Sequence, residues 1–509
     1  MNFEPSILKI QPKVPLLMDF AALCGAVNGR RISPAGKICF SGNAGLRGFS
    51  SVSIDSRRVK PGALFIALAG FVQDGHRYVE AAFKAGAVCA LADESKLEDK
   101  GLHLAETAAQ YGAELIAVKD TLRGLQDAAC AYLEQFPNLI KIGITGSAGK
   151  TTTKEIAAAM IGREKSVVMN QGNLNSETGL PLSVFEVRPQ HEVGIFELGM
   201  NRRGEIGELA RVLKPCIALI TNIGSAHIGI LGSKGAIAEE KKNIFAEFSG
   251  TEIALIPSDD EYREFLAEDV KGTVRFYGTG AGVSGGMTDL ESVRDLGLEG
   301  SEIIWAGEKV RFSLPGKHML RNAIAAAAIA REVPVSNRAI REGLTSVKPL
   351  FGRGEILEGP VTVIQDCYNA NPESTAEAVG FCDDLKYEGR KIYVMGSMLE
   401  LGDASKEAHR ELGQRLAVSS ADMIFLYGEE MKAAAEAFAA AAGIKDGRRS
   451  ISVFHTNSIT ELSGALEDFV EDGDLVLLKG SRICALERLI GVLMGETASA
   501  KRTLVKGAV

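Results

Sequence analysis

The chain has 509 residues, a length that predicts about three domains. Its 57 Lys and Arg against 65 Asp and Glu leave a formal charge of −8, which argues against nucleic acid as the main partner while leaving room for local phosphate pockets. Hydrophobic residues at 46% and charged residues at 24% describe an ordinary globular protein, and no apolar run approaches the roughly 18 residues a bilayer span needs, so membrane insertion is not expected.

The amino-terminal segment MNFEPSILKIQPKVPLLMDFAALCG is apolar in part, but Glu4, two prolines and Asp19 break a signal-peptide pattern, and a cytoplasmic location is expected. Residues 1–135 form a first block, in which FSSVSIDSRRVKPGALFIAL reads as strand, turn and strand, HRYVEAAFKAGA as helix and AVCAL as a short strand. A second block, 136–350, opens with the apolar run LIKIGIT. It stops in a glycine loop and continues as a helix from Thr151 to about Ile161. VGIFEL and IALIT repeat the figure and end in Glu197 and Asn222, a βα alternation that predicts a parallel sheet. The glycine-dense stretch 278–300 reads as loops between short strands, before an alanine-rich helix beginning near Asn322. In the third block, 351–509, VTVIQD, KIYVMG, MIFLYG and LVLLKGSR are strands each followed by a helical pattern, a Rossmann-like domain without G-x-G-x-x-G. The eight cysteines are never closer than 15 residues, which leaves no CxxC pair, and are expected to be reduced and buried. The fold class is α/β in three domains, with a central P-loop parallel-sheet ATPase domain and a C-terminal Rossmann-like domain.

Between strand and helix stand Thr145, Gly146, Ser147, Ala148, Gly149, Lys150, Thr151 and Thr152. Glycines let backbone N–H groups converge on phosphate oxygens, Lys150 offsets β/γ-phosphate charge, and the Thr151 hydroxyl can ligate Mg²⁺. Nucleoside triphosphate binding is expected of this loop, although the general phosphate-loop pattern wants glycine at 144, where Ile stands, so the loop is a variant. Glu197, His227 and Lys241 follow the next strand ends or lie beyond them, and a carboxylate and an imidazole near a triphosphate loop can hold Mg²⁺. Read alone, Glu197 is a strand-end surface residue and His227 a satisfied loop histidine. In GAIAEEKKNIF, Lys241 falls beside the apolar stripe of a helix, with Lys242 its exposed neighbour. The polar loop 170–177 reads as turn chemistry, and Asp366 to Pro372 as a strand end with an orienting Asp or a plain turn.

Eleven segments in this order resemble the Mur ligases, ATP-dependent amide-forming enzymes of peptidoglycan synthesis, over nearly the whole chain. They are DSRRVKPGALFIALAG, DGHRYVEAAFKAGA, TGSAGKTTTKE, GNLNSETGLP, FELGMNRRGEI, ITNIGSAHIGILGS, PGKHMLRNAIAAAA, GRGEI, DCYNANP, ELGDASKEAHRELG and LLKGSR. GNLNSETGLP, ELGMN and YNANP look like the member that adds the terminal dipeptide. The resemblance implies ATP and Mg²⁺ as cofactors, with UDP-N-acetylmuramoyl-tripeptide and D-Ala-D-Ala as substrates joined through an acyl phosphate. It further implies Thr151 and Glu197 as Mg²⁺ ligands, His227 as ligand of a second Mg²⁺, and Lys241 as a carbamylated lysine. Asn322 would contact adenine, while Arg353 and Asp366 would reach ATP. Asp55, Ser56 and Arg57 would hold the uridine diphosphate end, with Asn173, Asn175, Tyr368 and Asn369 among the substrate-binding groups. A monomer is expected. Similar enzymes usually carry Asp at the place of Ser397. A folylpolyglutamate synthetase-like ligase would lack a first domain of the DSRRVKPG kind, and a non-catalytic P-loop binder would release no phosphate on adding substrates.

Overall fold

Short, largely apolar strands alternate with helices that bury one apolar face, so the chain alternates β and α along much of its length. The computed structural model describes residues 15–32, 48–70, 73–99, 102–278, 289–442 and 451–495. These form two compact units. One takes in the described parts of Met1–Leu139 with Val168–Leu198 and Glu208–Lys214; the other takes in Ile140–Val167, Gly199–Gly207 and the described parts of Pro215–Val509. Among the described residues no helix is long and apolar enough to cross a membrane.

In the first unit a five-stranded sheet runs in the order Arg30–Ile32, Glu114–Val118, Cys89–Asp93, Ala63–Ile66, Ser51–Ser53. Only Arg30–Ile32 is antiparallel. Ser51–Ser53 and Ala63–Ile66 pair in parallel, with Val52 opposite Leu64, so the Val-Lys-Pro-Gly turn belongs to a crossover rather than a hairpin. Phe65, Val79, Phe83, Ala90, Leu104 and Leu115 close the core beneath it. In the buried DGH segment, Asp93 N–H donates to His76 Nε2 at 2.9 Å. That fixes the proton on Nδ1, which lies 2.6 Å from Asp74 Oδ1, so this histidine ties a turn to a strand.

In the second unit, Thr273–Tyr277, Ile253–Pro257, Ile217–Ile220 and Ile140–Thr145 lie side by side in that order, all parallel. Ile142, Ile144, Leu219 and Ile220 are fully buried, each worth about 1.5–3 kcal/mol of transfer free energy. The alanine-rich helix begins at Lys317, five residues before the expected start, because Pro315-Gly316 rather than Asn322 breaks the chain. It packs along Lys150–Ile161. Of the glycine-dense stretch, 279–288 lies outside the described residues. The rest is not simply loop: Leu290–Asp295 is a strand of a three-stranded antiparallel sheet with Ser301–Trp305 and Glu308–Phe312. The third block carries the four expected strands and two more, Glu355–Leu357 and Ser452–Thr456, in a six-stranded sheet that is parallel except for Glu355–Leu357. Helices cover both faces. Cys89, Cys367, Cys382 and Cys484 are buried and free, whereas Cys24, Cys130 and Cys216 are free but only half-buried, a correction to the expectation for them; Cys39 lies outside the described residues.

Candidate active site

The phosphate loop leaves the strand at the fully buried Thr145. Gly146 has φ +149° and Gly149 φ +81°. A Cβ on Gly146 would stand 1.8 Å from Thr221 Oγ1, and one on Gly149 2.2 Å from Asn322 Oδ1. Both positions therefore demand glycine on two counts, backbone angle and space. Lys150 opens the helix Lys150–Ile161, and its Nζ donates to Gly146 O at 2.7 Å across the loop. The helix's positive amino-terminal end thus meets the loop, with Thr151 and Thr152 buried in its first turn.

A strap of residues after Ile217–Ile220 holds the loop from behind. Thr221 Oγ1 donates to Ala148 O at 2.6 Å, Asn222 Nδ2 to the same oxygen at 3.1 Å, and Ala148 N–H to Asn222 Oδ1 at 3.0 Å. Asp260 anchors the next residue by accepting Ile223 N–H at 2.7 Å. Burial raises its pKa against the pull of the Tyr262 and Ile223 N–H groups. Of these residues the sequence marked only Asn222, as a strand-end polar group. Thr221 and Asp260 had no signal, because their partners lie 73 and 37 residues away in the chain.

Glu197 is buried at the end of Val193–Glu197, not exposed as a strand-end residue read alone would be. The polar loop after Met169 wraps it: Asn170 Oδ1 accepts Glu197 N–H at 2.9 Å, Asn170 Nδ2 donates to Glu197 O at 3.1 Å, and Asn175 Nδ2 donates to Glu197 Oε1 at 2.6 Å. Asn173 stands exposed beside it.

His227 adopts φ +66°, and its Nδ1 lies 3.0 Å from Glu400 Oε2, a contact that lowers the Glu400 pKa. The two loops approach so closely that a Cβ on Gly229 would meet Gly402 N at 2.4 Å. Lys241 is 1% exposed in the helix Lys234–Lys242, its Nζ 4.0 Å from Met200 Sδ. Its neighbour Lys242 is not free in solvent as expected. Lys242 donates to Phe265 O at 2.7 Å, with its ammonium 4.6 Å from the centre of that ring. Just before Lys241, the buried Glu240 accepts Gly204 N–H at 2.7 Å and Ile206 N–H at 2.9 Å, fixing the start of Glu205–Leu213.

In the third block Asp366 ends the strand Thr362–Asp366 and pairs with the buried Lys479 at 2.9 Å. Lys479 Nζ also donates to Asn369 O at 2.8 Å. The Arg353 guanidinium stacks 4.2 Å from the Tyr368 ring centre. Burial holds His318 below the usual histidine range although Asp366 pulls the other way. Ser397 sits 3% exposed after Lys391–Gly396, its hydroxyl packed where a Cβ on Gly428 would lie 2.2 Å away.

In the first unit Asp55 caps the turn Ser56–Arg58 and binds Arg57 through both oxygens, at 2.9 and 2.8 Å, which lowers its pKa to about 2. Among the described residues no three His, Cys, Asp or Glu stand together as a metal cage.

Residues 49–133, 144–330 and 352–482 match the Mur ligase family catalytic domain, the Mur ligase middle domain and the Mur ligase glutamate ligase domain. The UDP-N-acetylmuramoyl-tripeptide–D-alanyl-D-alanine ligase of Treponema pallidum is 44% identical over 481 residues, 94% of this chain and all of the relative. The enzyme of the same name from Bacillus subtilis is 33% identical, covering 86% of this chain and 92% of its own. Among solved structures, MurF from Acinetobacter baumannii superposes with a TM-score of 0.80 at 28% identity, over 94% of this chain and all of that one. MurF ligase from Thermotoga maritima in complex with ADP gives 0.71 at 28%, over 87% and 96%.

Proposed function

The chain belongs to the Mur ligase family and is a ligase, and from that membership we propose that it joins D-Ala-D-Ala to UDP-N-acetylmuramoyl-tripeptide at the expense of ATP. The observation that carries this reading is the glycine loop Gly146–Gly149, closed by Lys150 and strapped by Thr221 and Asn222, in a chain matched along the full length of a relative of that name.

A carboxylate is a poor acylating agent, so it must first become an acyl phosphate, which the dipeptide amine then attacks with loss of phosphate. The loop N–H groups and the helix end cradle the triphosphate, and Lys150 turns from Gly146 O to the β/γ oxygens. Mg²⁺ suits the hard oxygens of Thr151 and Glu197, and when bound it offsets charge on the transferred phosphoryl group. Asn175 and Asn170 hold the Glu197 carboxylate and backbone in place for that role. His227 serves a second Mg²⁺. Lys241, almost wholly buried in the helix Lys234–Lys242, would be carbamylated for the same purpose. Asn322, whose Oδ1 crowds Gly149, would contact adenine, while Arg353, stacked on Tyr368, and Asp366, paired with Lys479, would reach the nucleotide. Asp55, Ser56 and Arg57 receive the uridine diphosphate. Asn173, Asn175, Tyr368 and Asn369 are the substrate-binding groups of this reading.

The domains run 1–135, 136–350 and 351–509, a division supported by three family matches that each fall inside one of them. The protein works as a cytoplasmic monomer. ADP release measured with ATP, the muramoyl-tripeptide and D-Ala-D-Ala, each omitted in turn, tests the reaction. Turnover only with all three present is expected, and release that ignores the dipeptide would overturn it.

A further inference from the structure

One third-block carboxylate has no part in the roles above. Glu373 is the second residue of the helix Pro372–Asp384, whose N-cap Asn371 forms a capping box with Ser374. Its Oε1 accepts Ser225 N–H at 2.9 Å and its Oε2 accepts the Ser225 hydroxyl at 2.8 Å, with Lys234 Nζ 3.5 Å from Oε1. Ser225 ends the strap behind the phosphate loop, and the rest of the strap is bonded to that loop and its floor. Thr221 N–H donates to Thr145 O at 2.9 Å, Ser147 N–H to Asn222 O at 3.0 Å, and Gly224 N–H to Ser147 Oγ at 2.9 Å. A Cβ on Gly224 would stand 3.1 Å from the Glu373 carboxyl and 3.3 Å from Ser147 Cβ, so both crowd the space a side chain there would need. The same helix also offers Glu377 to Arg321 and Asp384 to Lys317 at 3.0 Å. Those pairs are largely solvated, and such pairs contribute little. Glu373 is as exposed as Glu377 and also faces Lys234, but it differs in holding a backbone N–H and the hydroxyl of a buried serine as well.

We infer that Glu373 is a positioning residue that locks the third-block helix onto the strap behind the phosphate loop, so that the loop is set for phosphoryl transfer only while that helix is docked. The inference rests on the ligase reading for its rate measurement. In the full chain, Glu373→Ala lowers kcat for substrate-dependent ADP release about ten- to a hundredfold, the range two charge-assisted hydrogen bonds carry, while ATP affinity stays within about twofold. Glu373→Gln, which keeps one acceptor, recovers part of the rate. Glu377→Ala, one turn along the same helix, leaves all parameters within about twofold. Adding Ser225→Ala to Glu373→Ala costs nothing further, since both remove one contact. Unchanged kcat in folded Glu373→Ala, additive losses in the double variant, or a loss of ATP affinity as large as that of kcat would each overturn the inference. If Glu373→Ala fails to fold, Ser225→Ala, which deletes the hydroxyl bond and keeps the backbone N–H bond, must show a smaller loss that is likewise specific to kcat; normal kcat there also overturns it. Hydrogen exchange at 221–225 and 145–149 reads docking without turnover and quickens in Glu373→Ala. Exchange that does not change overturns the inference, and a wild-type enzyme silent with all three substrates sinks the ligase reading alone.

Discussion

Lys150 directs its charge at a carbonyl of its own loop, Gly146 O at 2.7 Å, which holds the ammonium over the glycine loop. Lys150→Ala should leave the fold intact and lower ADP release at saturating ATP by at least about 100-fold, at 1.4 kcal/mol per decade; steady-state kinetics with a melting curve checks both halves. Lys241 and Lys242 are adjacent and lead opposite lives. One is buried near Met200, and the other caps Phe265 O. If Lys241 is carbamylated, Lys241→Ala loses activity and added short carboxylic acids restore part of it, with no such pattern for Lys242→Ala; a fully active Lys241→Ala enzyme would refute the modification. His409 shows a purely structural histidine. It accepts Met398 N–H on Nε2 at 3.1 Å, so Nδ1 carries the proton toward Ser405 O at 2.7 Å, and burial lowers its pKa. The unfolded chain takes up a proton below about pH 6.5 that the folded chain refuses, so this contribution to stability is whole above that pH and is lost as pH falls. Unfolding free energies from pH 7.5 to 5.5 should decline, with a slope smaller by up to about one proton in His409→Gln.

Elements were legible where composition changes sharply. The strand, glycine loop and helix of 140–161 were read correctly, because an apolar run, two glycines and a helix-forming tail name the turn, the close approach and the helix in one stretch. Leu290–Asp295 was not, since a glycine-rich neighbourhood resembles loop until a partner strand, here Ser301–Trp305, supplies its hydrogen bonds. The Asn-Pro segment after Asp366 proved to be both a turn and a helix start. Asn371 accepts Ser374 N–H at 2.8 Å and Pro372 takes the first helical position. Asn371→Ala should cost about 1 kcal/mol of stability, the usual worth of an N-cap. Denaturant unfolding would show it, and a shift near zero would mean the capping box does not hold the helix start.

At the scale of the whole molecule, an acyl phosphate open to water would hydrolyse, so a reaction through one needs a closing body, and the third block is the natural shield. ATP analogue and muramoyl-tripeptide added together should compact the particle in small-angle scattering, whereas either alone should do less; an unchanged radius of gyration would remove closure from the mechanism. Sequence alone determined the α/β class, the phosphate loop and most strands, because these follow from local periodicity and from backbone angles only glycine adopts. Tertiary structure decided that Glu197 is buried inside an asparagine clamp, that Lys479 rather than a solvated group partners Asp366, and that Thr221, Asp260 and Glu373 matter at all. Each of these is a bond between residues 22 to 148 positions apart. Only folding brings such groups together, and desolvation there turns an ordinary side chain into one whose partner must be present.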